Sequence, residues 1–370
     1  MEFYGTLGPA CRDKNILRNM FEAGMTGVRL NLSHGGLKEN GILIEEMRKT
    51  AEEMGIVPEI LIDLQGPELR IGRLSQELLL EEGERICFGE GGVPVPEALL
   101  KSLCPGDHVL LDDGKLEFLV EGEGEGQKEP ESRMMADEGR NAENEPGTGD
   151  HVPAYLGRVG SCSGIYARVL RGGRMKSGKS LAVVGKEIPM PTLTAQDLEN
   201  LTLAPSFGVT GVMLPFVRSK EDLLALREAL LSSGAGEIRI FAKIENQQGV
   251  HAIEELLPYC DQVVIARGDL GNSMPLWQLP GTQKRLAVSC IRAGKPFMVV
   301  TELLASMAER AVPTRAEVSD IYNAVCDGAS SLMLTGDTAA GSYPAEAMEY
   351  LVRTASEAMK DCALSGQDSL

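Results

Sequence analysis

Apolar positions along the chain fall into two alternating kinds of run. Short β-branched or apolar segments (EFYGTLG at the start, then TGVRLNLS, VPEILIDLQ, TGVMLPFV, EIRIFAKIE, DQVVIARGD, KPFMVVTE and SSLMLTGD) have the length and composition of strands. Between them lie amphipathic stretches such as LKENGILIEEMRKTAEEMG, SKEDLLALREALLSSG and LPGTQKRLAVSCIRAG, with apolar residues three to four apart and a glycine where a helix should stop. Strands that alternate with helices predict an α/β fold around a parallel sheet. Eight such units close into a TIM (β/α)8 barrel.

One gap breaks the rhythm. From Ile71 to about Pro189 the chain carries β-like pieces (GERICFG, DHVLLDD, KLEFLV and KSLAVV) and many glycines, but no barrel unit. The expected organisation is therefore a barrel from residues 1–70 and 190–370, with a small β-rich lid domain, 71–189, inserted after the third strand.

Composition narrows the function. The 370 residues are 43% hydrophobic and 24% charged, with a net charge of −18. Such an acidic chain lacks the basic footprint that nucleic acid requires. Glu121 to Asp150 hold ten acidic residues against three basic ones, with little to bury, and read as a flexible acidic loop. No run reaches the length of a membrane span, and the first residues do not resemble a signal peptide, so the expected location is cytoplasmic. Eight scattered cysteines without a CxxC pair predict reduced thiols and no zinc site.

Candidate chemistry gathers at the strand ends, because TIM-barrel sites lie on the C-terminal face. Strand two ends in Arg29, Asn31 and Ser33, followed by His34; strand three ends in Asp63, with Arg70 shortly after. Lys243 and Glu245 end strand five, Asp269 follows strand six, Thr301 strand seven, and Thr335 and Asp337 strand eight. Lys243 and Glu245 are two apart on a strand and so share a face. Glu245 and Asp269 suit a hard divalent ion, Mg2+ or Mn2+, while Arg29, Arg70 and Lys243 form a positive clamp for phosphate. A metal beside such a clamp is what phosphoryl transfer needs.

The segments TLGPAC, AGMTGVRLNLSHG, DLQGPELRIG, AKIENQQGV, VIARGDLG, AGKPFMVVTELLASM and PTRAEVSDIYNAVCDGASSLMLTGDTAAGSYP, in this order, resemble those of the pyruvate kinase family. The resemblance implies transfer of a phosphoryl group from phosphoenolpyruvate to ADP, giving pyruvate and ATP. By position, Glu245 and Asp269 would hold the divalent ion, Lys243 would stabilise the phosphoryl group and the enolate, and Thr301 would assist enolate protonation. Backbone groups from Ala266 through Arg267 and Gly268 to Asp269 would cradle the substrate carboxylate. Arg29 would contact phosphate, as would Arg70, with Asn31, His34 and Lys179 on the nucleotide side. Asn31, Ser33, Asp63 and the backbone of Leu64 correspond to potassium ligands.

Departures from the family pattern temper this expectation. Leu64-Gln65 and Glu68 mix features of potassium-dependent and potassium-independent members, leaving K+ open. Glu302 replaces a glutamine, Ala340 replaces a lysine near the nucleotide, and GNSMP follows ARGDLG where an acidic segment is usual. The family's C-terminal regulatory domain is expected to be absent, with barrel-to-barrel contact left as a route to a homodimer. Two alternatives stand beside the kinase: a Mg-dependent 2-oxo acid lyase or aldolase, and a catalytically weak paralogue that binds a metabolite.

Overall fold

The computed structural model describes residues 1–112, 114–123, 163–186, 188 and 190–365. Most of the expected acidic loop, from residue 124 on, lies outside the described residues. The chain forms two compact units, one of Met1–Glu68 with Met190–Leu370 and one of Leu69–Pro189.

The first unit is a closed barrel of eight parallel strands. They are β1 (Glu2–Thr6), β2 (Gly27–Asn31), β3 (Glu59–Asp63), β4 (Gly211–Leu214), β5 (Arg239–Ile244), β6 (Gln262–Ala266), β7 (Phe297–Val300) and β8 (Ser331–Leu334). Each strand pairs with its neighbours in chain order, and β1 closes on β8 with Glu2 opposite Ser331. All eight expected strands are present, and the fold is the TIM barrel that the alternating pattern predicts.

The two-residue period of a strand sorts its side chains between two cores. Ile240, Ala242 and Ile244 of β5 face the shell of helices, in one cluster with Ile60, Ile62, Val263 and Ile265. Phe241 faces the barrel axis, where it packs with Tyr4, Leu61, Met213, Val264, Met298 and Met333. Polar residues extend this inward face in both directions. At the strands' N-terminal end, Glu59 accepts a hydrogen bond from the Tyr4 hydroxyl at 2.5 Å and pairs with Arg239, and Gln262 donates to Ser331 Oγ at 2.6 Å. One step beyond the apolar layer, toward the C-terminal mouth, the inward positions are Arg29, Asp63 and Lys243.

Helices follow most strands as read. Lys220–Ser232 and Leu279–Arg292 match the amphipathic stretches, and Gly234 and Gly294 beyond them adopt φ of 69° and 63°, the left-handed turn that favours glycine after a helix. The helix Ala195–Leu203 begins with a capping box between Thr194 and Asp197. Asp197 is fully buried and also accepts from the backbone N–H of Gln65 and Gly66 at 2.8 and 3.0 Å, which fixes the turn leaving β3. Among the described residues, no helix is long and apolar enough to cross a membrane.

In the second unit, an antiparallel sheet runs Leu181–Val183, His108–Leu111, Leu116–Glu123, Ser163–Arg171, Arg85–Glu90. Four of these strands overlap the β-like pieces of the sequence, but Ser163–Arg171 does not. Its neighbours Ile165, Tyr166 and Ala167 are all buried, so it lacks the strict alternation that marks a strand. The expectation of reduced thiols fails at Cys87, which is disulfide-bonded. Cys11, Cys104, Cys260, Cys290 and Cys326 are free thiols.

The inner core leaves no room for a side chain at Gly211, the first residue of β4. A Cβ there would lie 2.5 Å from the Phe241 ring and 2.6 Å from a Leu61 methyl group. Gly211→Ala is expected to cost about 1–3 kcal/mol by overpacking. Thermal unfolding followed by circular dichroism should show a midpoint lowered by several degrees, and an unchanged midpoint would contradict this packing.

Candidate active site

Lys243 is the centre of the charged layer. It is 9% exposed, and its Nζ lies 3.0 and 3.2 Å from the two Asp63 oxygens and 2.9 Å from Glu245 Oε1. Arg29 reaches the same Asp63 from β2, with Nη2 at 2.5 Å and Nε at 3.1 Å from Oδ2. Two cations and two carboxylates thus share one buried cluster at the C-terminal mouth. It exists because Arg29, Asp63 and Lys243 take inward positions at or near the C-terminal ends of β2, β3 and β5, and Glu245 is the first residue beyond β5.

Burial and charge set the protonation states. Burial opposes ionisation of Asp63, but Lys243 and Arg29 outweigh it and hold the carboxyl below its ordinary value. Burial opposes the charge on Lys243, but Asp63 and then Glu245 outweigh it and hold its pKa above that of an ordinary lysine. Glu245 differs. Burial, with the carboxylates of Asp269 and Asp63, pushes it up to about 7 against the pull of Lys243. Its Oε2 accepts from the backbone N–H of Phe216 at 2.8 Å. Phe216 has φ of 51°, uncommon for a bulky residue.

Thr301 leaves β7 in a second strained stretch. It has φ of 69° and Glu302 follows at 54°. For a β-branched residue this conformation costs of order 1–3 kcal/mol and persists only where the surroundings enforce it. The Thr301 hydroxyl accepts from Gly268 N–H at 2.8 Å and donates to the Val300 carbonyl at 2.6 Å. The expected carboxylate cradle, Ala266 to Asp269, is therefore tied to Thr301 through Gly268. Arg267 is 7% exposed and turns its side chain away from that role, toward Asp320 and the Thr301 carbonyl.

Asn31 Oδ1 accepts from Ser33 N–H at 3.1 Å, a capping role for the turn Leu32–His34, and Leu64 N–H donates to the Met213 carbonyl. His34 closes that turn and is exposed. Both Asp63 oxygens are held by Lys243, one of them also by Arg29, so of the implied potassium ligands Asp63 and Asn31 already accept internal hydrogen bonds. Arg70 and Lys179 belong to the second unit, where Arg70 donates to the Gly178 carbonyl at 2.7 Å and Lys179 lies 2.8 Å from Asp112. Glu302 and Ala340 are exposed. Sequence reasoning missed Phe216, Asp197 and Asp320, which act through backbone or paired contacts and carry no motif of their own.

A metal is supported by the donor chemistry. Glu245 and Asp269 are hard oxygen donors close enough for one charge to raise the other's pKa, an excess of negative charge that a cation would relieve. Among the described residues, no group of three His, Cys, Asp or Glu side chains is assembled for a metal. Two protein carboxylates, with substrate and water completing the shell, is the pattern of Mg2+ sites. A cavity of about 600 Å3 opens beside Arg218, Ser219, Asp222, Gln248, His251 and Ala252. There Asp222 already satisfies Arg218 and the start of the following helix, so charge rather than cavity volume locates the chemistry.

A parallel eight-stranded barrel with a buried cation-carboxylate cluster at its C-terminal mouth defines an α/β-barrel enzyme. The family described as pyruvate kinase, barrel domain, matches residues 2–155 and 156–348. The chain is 35% identical to pyruvate kinase of Aeropyrum pernix over 99% of its own length and 72% of that protein. It is 33% identical to the Sporosarcina psychrophila enzyme and 34% to that of Geobacillus stearothermophilus, covering 55% and 54% of their lengths. The chain belongs to the pyruvate kinase family.

Because Asp63 neutralises two buried cations, Asp63→Asn should destabilise the barrel by about 3–5 kcal/mol, read by urea unfolding at pH 7. The carboxyl's depressed pKa makes its contribution full above the ordinary aspartate range. The difference between wild type and variant should therefore shrink as pH falls below about 4. A difference constant from pH 7 to pH 3 would refute this charge assignment.

Proposed function

We propose that the chain transfers the phosphoryl group of phosphoenolpyruvate to ADP, yielding pyruvate and ATP. The observation that carries this reading is the Lys243 ammonium, buried between Asp63 and Glu245 at the barrel mouth. A fixed positive charge in a dry site stabilises oxygens on which negative charge develops, and needs no reorganisation as the reaction proceeds. Lys243 would serve the phosphoryl group in flight and the enolate left behind. Arg29, held by Asp63, would orient the donor phosphate.

Glu245 and Asp269 would hold Mg2+ or Mn2+, which when bound supplies positive charge to the donor's oxygens. Substrate carboxylate would take the N–H groups of the Ala266–Asp269 turn. The Thr301 hydroxyl accepts from Gly268 N–H and donates to the Val300 carbonyl; to protonate the enolate carbon it would turn its O–H from that carbonyl to the substrate and regain a proton from solvent. On the nucleotide side the reading uses Asn31 and His34 of the barrel unit. Glu302, and alanine at 340, would weaken ADP binding electrostatically. The structural relationships favour neither the lyase nor the weak-paralogue alternative.

Purified protein with phosphoenolpyruvate, ADP and Mg2+, coupled to pyruvate detection with and without K+, tests the reading directly. Lys243→Met should lower kcat by about a thousandfold or more. Since Lys243 also neutralises buried carboxylates, the variant should melt earlier, and it is assayed well below its midpoint. Wild-type turnover in that variant would sink the assignment.

The metal site has its own readout. Glu245, raised to about 7, gives up its proton when a cation binds. Mn2+ affinity measured by electron paramagnetic resonance should rise up to about tenfold per pH unit below 7 and then level off. Affinity independent of pH between 5.5 and 8 would exclude Glu245 as a ligand.

A further inference from the structure

Arg267 is a buried charge that the reaction scheme above leaves without a task. It follows β6 directly, and its guanidinium turns into the protein. Nη1 lies 2.5 Å from Asp320 Oδ2 and Nη2 donates to the Thr301 carbonyl at 2.6 Å. Nε is buried with no hydrogen-bond partner among the described residues. A guanidinium removed from water with a donor unused is a poor device for stability, because desolvation offsets much of what the ion pair returns. Its geometry is more informative than its energy.

What Arg267 grips is the carbonyl of the strained residue Thr301. The same threonine is held through its hydroxyl by Gly268 N–H, one residue from Arg267. One short turn thus fixes both the backbone and the side chain of Thr301. Arg267 is in turn anchored to the helix Arg315–Cys326, which carries Asp320. That helix fastens the loop beyond β7 at a second point, since Glu317 accepts from the backbone N–H and the hydroxyl of Ser306 at 2.7 and 2.6 Å. Glu317 also belongs to the helix's capping box with Thr314. The segment that begins at Thr301 is therefore pinned to one helix by two carboxylates a single turn apart.

We infer that Asp320 is a positioning residue for proton delivery: through Arg267 it holds Thr301 in the left-handed conformation that keeps its hydroxyl on the Gly268 N–H, beside the substrate-binding turn. The inference rests on the reading that Thr301 assists protonation of the enolate. Without Asp320, the guanidinium loses its anchor, the Thr301 carbonyl loses a fixed donor, and the backbone can relax toward ordinary φ. The hydroxyl then leaves its place while Lys243, Glu245 and Asp269 stay as they are.

The experiment uses the full chain with Mg2+ in two assays. One is phosphoryl transfer from phosphoenolpyruvate to ADP; the other is exchange of the pyruvate methyl protons with 2H2O in the presence of ATP, followed by proton NMR. Asp320→Asn is expected to slow methyl exchange by about tenfold or more, with the KM for phosphoenolpyruvate within about twofold of wild type. Asp320→Glu should recover a large part of the exchange. Should the single variant fail to fold, the pair Arg267→Met with Asp320→Leu removes both charges of the ion pair, and the same loss is expected. Exchange at the wild-type rate in the folded variant overturns the inference, as does an equal fall in exchange and substrate binding that Asp320→Glu does not relieve. Thr301→Ala separates the two levels. If it exchanges like wild type, the protonation reading fails whatever Asp320 does; if it is slow while Asp320→Asn is not, only the positioning role fails.

Discussion

The structure depends on an ammonium group that cannot be left alone. Lys243 has lost nearly all contact with water, and Asp63 and Glu245 facing it offset the burial that opposes its charge. Asp63 in turn remains ionised because Lys243 and Arg29 face it. Four strand-end residues therefore hold one another's charge states, and none can be removed without stranding a partner. This mutual dependence fixes the geometry of the barrel mouth more tightly than packing could, since hydrogen bonds to charged groups constrain direction as well as distance. It also leaves Glu245 as the one carboxylate of the cluster with excess negative charge around it, the state that a divalent ion would relieve.

The barrel makes this arrangement affordable by layering its interior. Glu59, Arg239, Gln262 and Ser331 close the N-terminal end with their own polar contacts, and an apolar layer around Phe241 seals the middle. The charges of the mouth therefore face a low-dielectric floor on one side only. Inward and outward residues of every strand are fixed by a period of two, so a slip of one residue in β5 would carry Lys243 into the helix shell and Ile244 into the site. Gly211, whose missing side chain lets Phe241 and Leu61 meet, belongs to the same logic.

Much of this was legible in the sequence, for identifiable reasons. Eight strands could be counted because barrel strands buried on both faces read as short continuous apolar runs. Lys243 and Glu245 could be put on one face from spacing alone, and the motif order pointed to the family that the comparisons show. The pairing of Asp63 with both Arg29 and Lys243 could not be read, because it depends on which strands are neighbours in a closed sheet. Ser163–Arg171 was lost because its buried run hides the alternation, and the disulfide at Cys87 because eight scattered cysteines carry no spacing signal for a pair. Phe216 and Asp197 escaped for another reason: what they contribute is a backbone conformation or a carboxylate bonded to backbone N–H groups, and neither leaves a pattern in residue types.

Strain supplies the last link between fold and chemistry. Residues in the left-handed region without being glycine are costly, and here Phe216, Thr301 and Glu302 all lie just past the ends of barrel strands. Phe216 presents its N–H to Glu245, and Thr301 presents its hydroxyl to Gly268. In both cases the unfavourable backbone is compensated by a charged side chain that it helps to hold or that holds it: Glu245 in the first, Arg267 in the second. The strain is therefore local and met by hydrogen bonds to charged side chains. A relaxed backbone at either position would be more stable in isolation, but it would cost a buried carboxylate or guanidinium one of its hydrogen bonds. The same charges that suit the mouth for phosphoryl chemistry are thus what keep its two strained turns in place.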